Sequence, residues 1–175
     1  MEAFILAGGL SSRMGRDKSR LRLGRRTLTG HIKATLRGLG LKARLVRRDS
    51  VERCGPIGGI LTALETSRAD CVLVLACDMP FVSNPLLQMV LEAMRASDKA
   101  VFASAGRLAG FPIVLRREAC LPIVRRQIER GGFSLQSLAR AVRARMVRPA
   151  GVLRKDLFNV NSPGELNAAR NRFLQ

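Results

Sequence analysis

The sequence predicts an α/β fold in which helices cover both faces of a mostly parallel sheet. Three observations carry that expectation. Short apolar runs alternate with helical apolar stripes along the whole chain, the pattern of strands joined by covering helices. The run Cys71-Val72-Leu73-Val74-Leu75-Ala76-Cys77 is apolar without interruption, as a central parallel strand buried on both faces requires. No repeat or low-complexity tract breaks the alternation, and the 175 residues suffice for one domain with a real core rather than two. The expected domain spans residues 1–175.

In chain order, Met1 to Ile5 reads as a first buried strand. Leu21 and Leu23 alternate in a short extended piece that ends at Gly24. Thr27 is placed to cap a helix whose stripe is Leu28, Ile32, Leu36 and Leu39, and Gly38 and Gly40 end it. Leu41 to Val46 reads as a second strand. A Gly55-Pro56-Ile57-Gly58-Gly59 turn opens a helix with Ile60, Leu61 and Leu64 inward. After the 71–77 strand, Ser83 or Asn84 can cap a helix over Pro85 to Arg95. Ala100 to Ala103 and Phe111 to Leu115 read as strands around a turn at 106–110. Glu118 to Glu129 reads as a helix with Ile123, Val124 and Ile128 inward, and Phe133-Ser134 begins another with Leu135, Leu138 and Val142 inward. Ser162 and Pro163 start the last helix, through Phe173.

The chemistry concentrates at the exit of the first strand. Leu6 to Lys18 reads L-A-G-G-L-S-S-R-M-G-R-D-K. A strand emptying into Gly8-Gly9 presents free backbone N–H groups, and Arg13 and Lys18 add two cations to the same loop, a combination that suits phosphate. The glycine spacing fits neither the dinucleotide fingerprint nor the P-loop. Asp78, at the end of the apolar 71–77 run, is a carboxylate where open α/β sheets bind ligands, and a hard oxygen donor there suits Mg²⁺.

This stretch resembles the signature L-A-G-G-x-S-x-R-M-G-x-D-K of the MobA-like nucleotidyltransferases, which include the molybdenum cofactor guanylyltransferases. Every fixed position is filled, at Leu6, Ala7, Gly8, Gly9, Ser11, Arg13, Met14, Gly15, Asp17 and Lys18. Cys77-Asp78-Met79-Pro80 resembles the family's C-D-x-P. Asp49-Ser50 followed by Gly55-Pro56-Ile57-Gly58-Gly59 resembles its D-S and G-P-[LI]-x-G loop, and Asn159-Val160-Asn161-Ser162-Pro163-Gly164-Glu165-Leu166 its N-x-N-[TS]-P-x-E-L.

The resemblance implies a three-layer α/β/α Rossmann-like domain of the nucleotide-diphospho-sugar transferase kind. It also implies Mg²⁺-dependent transfer of GMP from GTP to molybdenum-bearing molybdopterin, with molybdoenzymes or cofactor-pathway proteins as partners. Arg13, Lys18 and Asp78 take the catalytic roles. Leu6, Ala7, Gly8, Gly9, Lys18, Asp49, Gly55, Pro56, Gly58 and Asp78 bind nucleotide, Asp78 holds the metal, and Asn159 and Asn161 face the acceptor. Two departures stand out. The strand and helix that usually precede the Asp49-Ser50 segment are missing, which leaves GTP against CTP open. Phe111 replaces the usual polar residue before Pro112.

Net charge is +18, from 31 basic and 13 acidic residues. Such a balance attracts polyanions. Yet there is no Trp or Tyr for base stacking, and the arginines are scattered, which argues against nucleic acid. A basic nucleic-acid-binding protein on an inactive transferase scaffold remains the alternative of another class. Arg140, Arg143, Arg145 and Arg148 read either as a solvated face or as a wall for the second substrate. The cysteines, at 54, 71, 77 and 120, form no zinc-type spacing with the single His31, and free thiols are expected. No apolar run approaches the roughly 18 residues of a membrane span, and the expected location is cytoplasmic.

Overall fold

The computed structural model describes residues 1–8 and 21–174. Strands β1 (Glu2–Leu6), β4 (Ala43–Val46), β5 (Cys71–Ala76), β6 (Ala100–Ala105), β7 (Leu108–Arg116) and β8 (Arg145–Val147) form one sheet in the order β4-β1-β5-β7-β6-β8. Arg22–Leu23 (β2) and Arg26–Thr27 (β3) form a separate small hairpin. The helices are α1 (Leu28–Gly38), α2 (Pro56–Thr66), α3 (Asn84–Glu92), α4 (Arg117–Glu129), α5 (Leu135–Ala141), α6 (Val152–Lys155) and α7 (Pro163–Leu174).

The β1–β4, β1–β5 and β6–β8 pairs are parallel, while β7 runs antiparallel to both β5 and β6. The sheet is therefore mostly parallel, with one reversed strand. The 71–77 run lies at its centre, but only one of its two neighbours runs in its own direction. A continuous apolar run reports burial of both faces and says nothing of the neighbour's direction. The turn into β7 is also shorter than expected, because Leu108 and Ala109 already belong to the strand.

Alternation along the strands divides the core in two. Ala3, Ile5, Leu73, Leu75 and Val101 face α1 and α3, meeting Ile32, Leu36, Leu86, Leu87 and Val90. Phe4, Leu6, Val72, Val74 and Phe102 face α2, α4 and α5, meeting Ile57, Ile60, Leu64, Val124 and Leu138. A third cluster joins the hairpin to the C-terminal helix through Leu23, Leu28, Val160, Leu166 and Ala169. The expected caps form. Thr27 Oγ1 accepts from the Gly30 N–H at 3.0 Å, and Ser83 Oγ accepts from the Leu86 N–H at 3.3 Å. In α4 the expected Ile123, Val124 and Ile128 pack on the core, and Cys120 and Gln127 are buried beside Val124, so the inward face is wider than expected and contains an amide. Gln127 Nε2 donates to the Gly132 carbonyl and to Ser137 Oγ, which satisfies its amide donors, while its Oε1 is buried with no partner among the described residues. Cys54, Cys71 and Cys120 are free thiols. Among the described residues no helix is long and apolar enough to cross a membrane.

Candidate active site

The C-terminal ends of β4, β1 and β5 finish level with one another. The Ala7 N–H donates to the Val46 carbonyl at 2.8 Å and the Cys77 N–H to the Leu6 carbonyl at 3.0 Å. Each strand then gives way to a loop, and these loops wall a cleft of about 1070 Å³. Leu6, Ala7 and Gly8 come from β1, the 47–53 loop from β4, Gly55, Pro56 and Gly59 from the start of α2, and Ala76, Cys77 and Asp78 from β5; Phe111 enters from β7. A crevice beyond the carboxyl ends of the strands is the usual ligand site of an open α/β sheet.

Gly8 is required by close approach. It does not occupy the left-handed region, and a Cβ there would stand 2.8 Å from the Arg47 carbonyl oxygen. Gly55 is required by its backbone: at φ 55° and ψ −143° it precedes α2, and Pro56 takes the helix's first turn. No side chain caps this end, and Gly55 and Pro56 at the helix start line the cleft, where an anion or an oxygen acceptor suits uncapped first-turn amides.

Asp49 lies against the same turn. A Cβ on Gly58 would sit 3.1 Å from Asp49 Oδ2, and one on Gly59 3.3 Å from Asp49 Oδ1. Burial pushes the Asp49 carboxyl above the ordinary carboxylate range. Asp78 follows β5 directly, and its carbonyl accepts the Val160 N–H at 2.8 Å. That bond joins the carboxylate-bearing turn to the segment 159–161.

Of the residues the sequence singles out, Leu6, Ala7, Gly8, Asp49, Gly55, Pro56 and Asp78 line one cleft. Gly9, Arg13 and Lys18 lie outside the described residues. Gly58 sits behind the wall rather than in it. A Cβ there would meet the Val51 carbonyl oxygen at 2.7 Å, so its smallness serves packing, and Gly59 lines the cleft in its place. Asn159 and Asn161 flank Val160 and do not line the cleft. The Asn161 N–H donates to Glu165 Oε2 at 2.7 Å, Ser162 Oγ donates to the same oxygen at 3.0 Å, and the Glu165 N–H returns a bond to Ser162 Oγ. This reciprocal cap starts α7.

The structure adds cleft residues that sequence reasoning missed, Arg47, Arg48, Glu52 and Arg53, and it brings Cys77 and Phe111 of the quoted motifs to the same cleft. The signal was the density of charge in Arg47-Arg48-Asp49-Ser50-Val51-Glu52-Arg53, between a strand and a Gly-Pro turn. Arg53 holds φ 61°, a left-handed conformation uncommon for such a side chain and frequent at ligand sites. Of the arginine run further on, Arg145 is fixed by Asp98, with Nε 2.6 Å from Oδ2 and Nη2 3.0 Å from Oδ1, and it helps anchor β8 at the sheet edge.

Among the described residues no group of three or more His, Cys, Asp or Glu could hold a metal ion. Asp78 is instead one hard oxygen donor at the mouth of an arginine-lined cleft. That fits an ion that shares its coordination with substrate phosphates and water rather than one caged by protein.

The fold is that of solved nucleotidyltransferases. It superposes on molybdopterin-guanine dinucleotide biosynthesis protein A of Archaeoglobus fulgidus with a TM-score of 0.77 at 20% identity, over 98% of each chain. It superposes on 2-C-methyl-D-erythritol 4-phosphate cytidylyltransferase of Thermus thermophilus with a TM-score of 0.73 at 19% identity, over 100% of each. In sequence, the chain is 29% identical to a "probable molybdenum cofactor guanylyltransferase" of Flavobacterium johnsoniae, over 95% of both proteins. It is 28% identical to the molybdenum cofactor guanylyltransferase of Pseudomonas putida, over 75% of this chain and 78% of that one. Residues 3–148 match the MobA-like NTP transferase domain, and the chain belongs to that family. It is a nucleotidyltransferase.

Proposed function

We propose that the protein moves GMP from GTP to the phosphate of molybdenum-bearing molybdopterin and releases pyrophosphate. The observation that carries this reading is the meeting of Gly8, Asp49, the Gly55-Pro56 helix start and Asp78 around one cleft. It is supported by relatives named as guanylyltransferases along nearly the whole chain. An oxygen of the acceptor phosphate attacks the α-phosphorus. The new P–O bond forms as the bond to the β-phosphate oxygen breaks, and pyrophosphate leaves with that electron pair.

Such a transfer needs alignment and charge neutralisation more than covalent help. The first turn of α2 and the Asp49 carboxyl give the nucleoside amide donors and an oxygen acceptor at one wall. Arg47, Arg48 and Arg53 offset phosphate charge at the mouth, and Arg13 and Lys18 do so for the leaving pyrophosphate. A Mg²⁺ ion, when bound with the triphosphate, supplies Lewis-acid polarisation of phosphate oxygens. Asp78 is the residue that would hold it, and the bond from Val160 keeps its turn in place.

The test is a thermal-shift panel of the four NTPs with and without Mg²⁺, followed by pyrophosphate release with acceptor present. GTP alone should raise the midpoint, and only with Mg²⁺. Asp78→Asn and Lys18→Ala should each slow pyrophosphate release on the order of 10²–10³-fold, as loss of one electrostatic group does. A shift by CTP alone would move the donor assignment, and normal release by both variants would refute the roles of Asp78 and Lys18.

A further inference from the structure

We propose that Phe111 holds the ring system of the acceptor and thereby selects it; the inference rests on the acceptor being a ring-bearing phosphorylated molecule, as in the proposed reaction. Three observations lead there. First, Phe111 is the only aromatic side chain among the described cleft-lining residues. The chain has no Trp or Tyr, and residues 9–20 contain no aromatic residue. The other described lining residues offer backbone, aliphatic or small side chains, or charge, so among them a flat heterocycle finds an aromatic face at this position alone.

Second, the sheet is built to turn that side chain out. The β5–β7 ladder stops at Val74 opposite Ile113, although β5 runs on to Ala76. On the other side of β7 the register jumps from Phe102–Ile113 to Ala103–Gly110. Phe111 and Pro112 are thus extra residues with no partner on β6, and a bulge of this kind re-aims side chains beside a site. Phe111 is half-buried and packs against both halves of the core, so it enters the cleft from a rigid base.

Third, the strand order separates the two ends of the cleft. Arg47, Asp49 and the α2 start lie on the β4–β1 side, Asp78 follows β5, and Phe111 lies beyond it on β7. If the transferred phosphate sits at Asp78, the donor's base lies on the α2 side and the acceptor's ring on the Phe111 side. Ring stacking on an aromatic side chain is ordinarily worth about 5- to 150-fold in affinity by alanine substitution.

The experiment measures two affinities in the full-length protein. Hydroxymethylpterin phosphate, which carries a fused ring and one phosphate and is itself fluorescent, serves as acceptor probe. GTP with Mg²⁺ is titrated calorimetrically. Phe111→Ala should weaken the probe about 5- to 150-fold and leave GTP within about twofold, while Phe111→Tyr, which keeps the ring, should restore the probe. Phe111→Leu keeps apolar volume without a π face and gives the same readout should the alanine variant not fold. Failure of the wild type to bind the probe, an unchanged probe affinity in the alanine and leucine variants, or an equal loss of GTP would each overturn the proposal. The last of these would assign the ring to the donor base. Absence of GTP binding with an intact Phe111-dependent probe site would overturn the donor assignment alone.

Discussion

Asp156 is the residue whose removal should most clearly separate architecture from chemistry. It is 7% exposed and accepts from Ser83 Oγ at 2.5 Å while Arg172 Nη2 stands 3.4 Å from its other oxygen. Ser83 caps α3, and Arg172 lies over the Phe81 ring at 4.2 Å and donates to the Lys155 carbonyl. One carboxylate therefore ties α3, α7 and the turn after β5 together, a few residues from the Val160–Asp78 bond. A hydrogen bond to a buried charged acceptor contributes about 1.5–3 kcal/mol. The Arg172 pair, with a third of the arginine side chain exposed, adds at most about 1 kcal/mol. Arg172 keeps its other two contacts, so no charge is stranded. Asp156→Ala should thus cost about 2–3.5 kcal/mol, a fall in Tm of roughly 4–14 °C for a chain of this size. Asp156→Asn, which can still accept from Ser83, should cost about half as much. Urea unfolding followed by far-UV circular dichroism is the assay, since the chain has no Trp. A loss below about 0.5 kcal/mol, or an asparagine variant as damaged as the alanine one, would refute the account. So would the absence of coupling between Ser83→Ala and Asp156→Ala, expected at about 1–2 kcal/mol.

Gly8→Ala must push apart the β1 exit and the Arg47 carbonyl, at a cost of about 1–3 kcal/mol. Gly110→Ala, whose Cβ would have only the Ala103 carbonyl oxygen at 3.8 Å, should cost less than about 1 kcal/mol, and paired denaturation curves compare the two. For Asp49 the sign runs against stability. Burial raises its folded pKa above the unfolded value, so the folded state binds more protons and loses stability as pH rises from about 4 through the folded pKa. Asp49→Asn should therefore gain on the wild type between pH 3 and pH 7 by urea midpoint, and a gap that stays constant with pH would contradict this. The Cys120 thiol is pushed up to about 12, chiefly by burial. It should stay unmodified by a thiol reagent at pH 8 until the protein is unfolded, as mass spectrometry of labelled peptides can read.

The elements with long, regular patterns were legible in the sequence because periodicity and caps are local. The α1 stripe with its Thr27 cap, the α2 start at Gly55-Pro56 and the 71–77 strand all follow from residues within a turn or two. Three things were not local. The reversal of β7 depends on its neighbours and leaves no mark in an apolar run. The strand at Arg145–Val147 has three residues, all partly exposed, and owes its extension to pairing with β6, so its arginines read only as charge. The roles of Gly58 and Gly59 depend on what stands behind each, Val51 in one case and Leu6 in the other. The same holds for the site: the motif residues could be named from the family resemblance, but not that Arg47, Arg48 and Arg53 would stand among them.

The distribution of charge decides between a small anionic substrate and a polyanion more sharply than the net +18 does. A groove that tracks a nucleic-acid backbone needs continuous positive charge interleaved with stacking faces. Among the described residues the cleft arginines come from the 47–53 loop and alternate with Asp49 and Glu52, and Asp78 lines the same cleft. Elsewhere Arg44 is paired with Glu2, Arg125 with Glu65, Arg145 with Asp98 and Arg172 with Asp156. Carboxylates set among the arginines repel a long phosphate chain. Toward a triphosphate they act differently, because an acid can accept from a base or sugar hydroxyl or hold a divalent ion while its neighbours neutralise phosphate. The pattern of both signs within one cleft is the electrostatic form of a nucleotidyl transfer site, and the surplus of arginine outside it raises the local concentration of any anionic substrate.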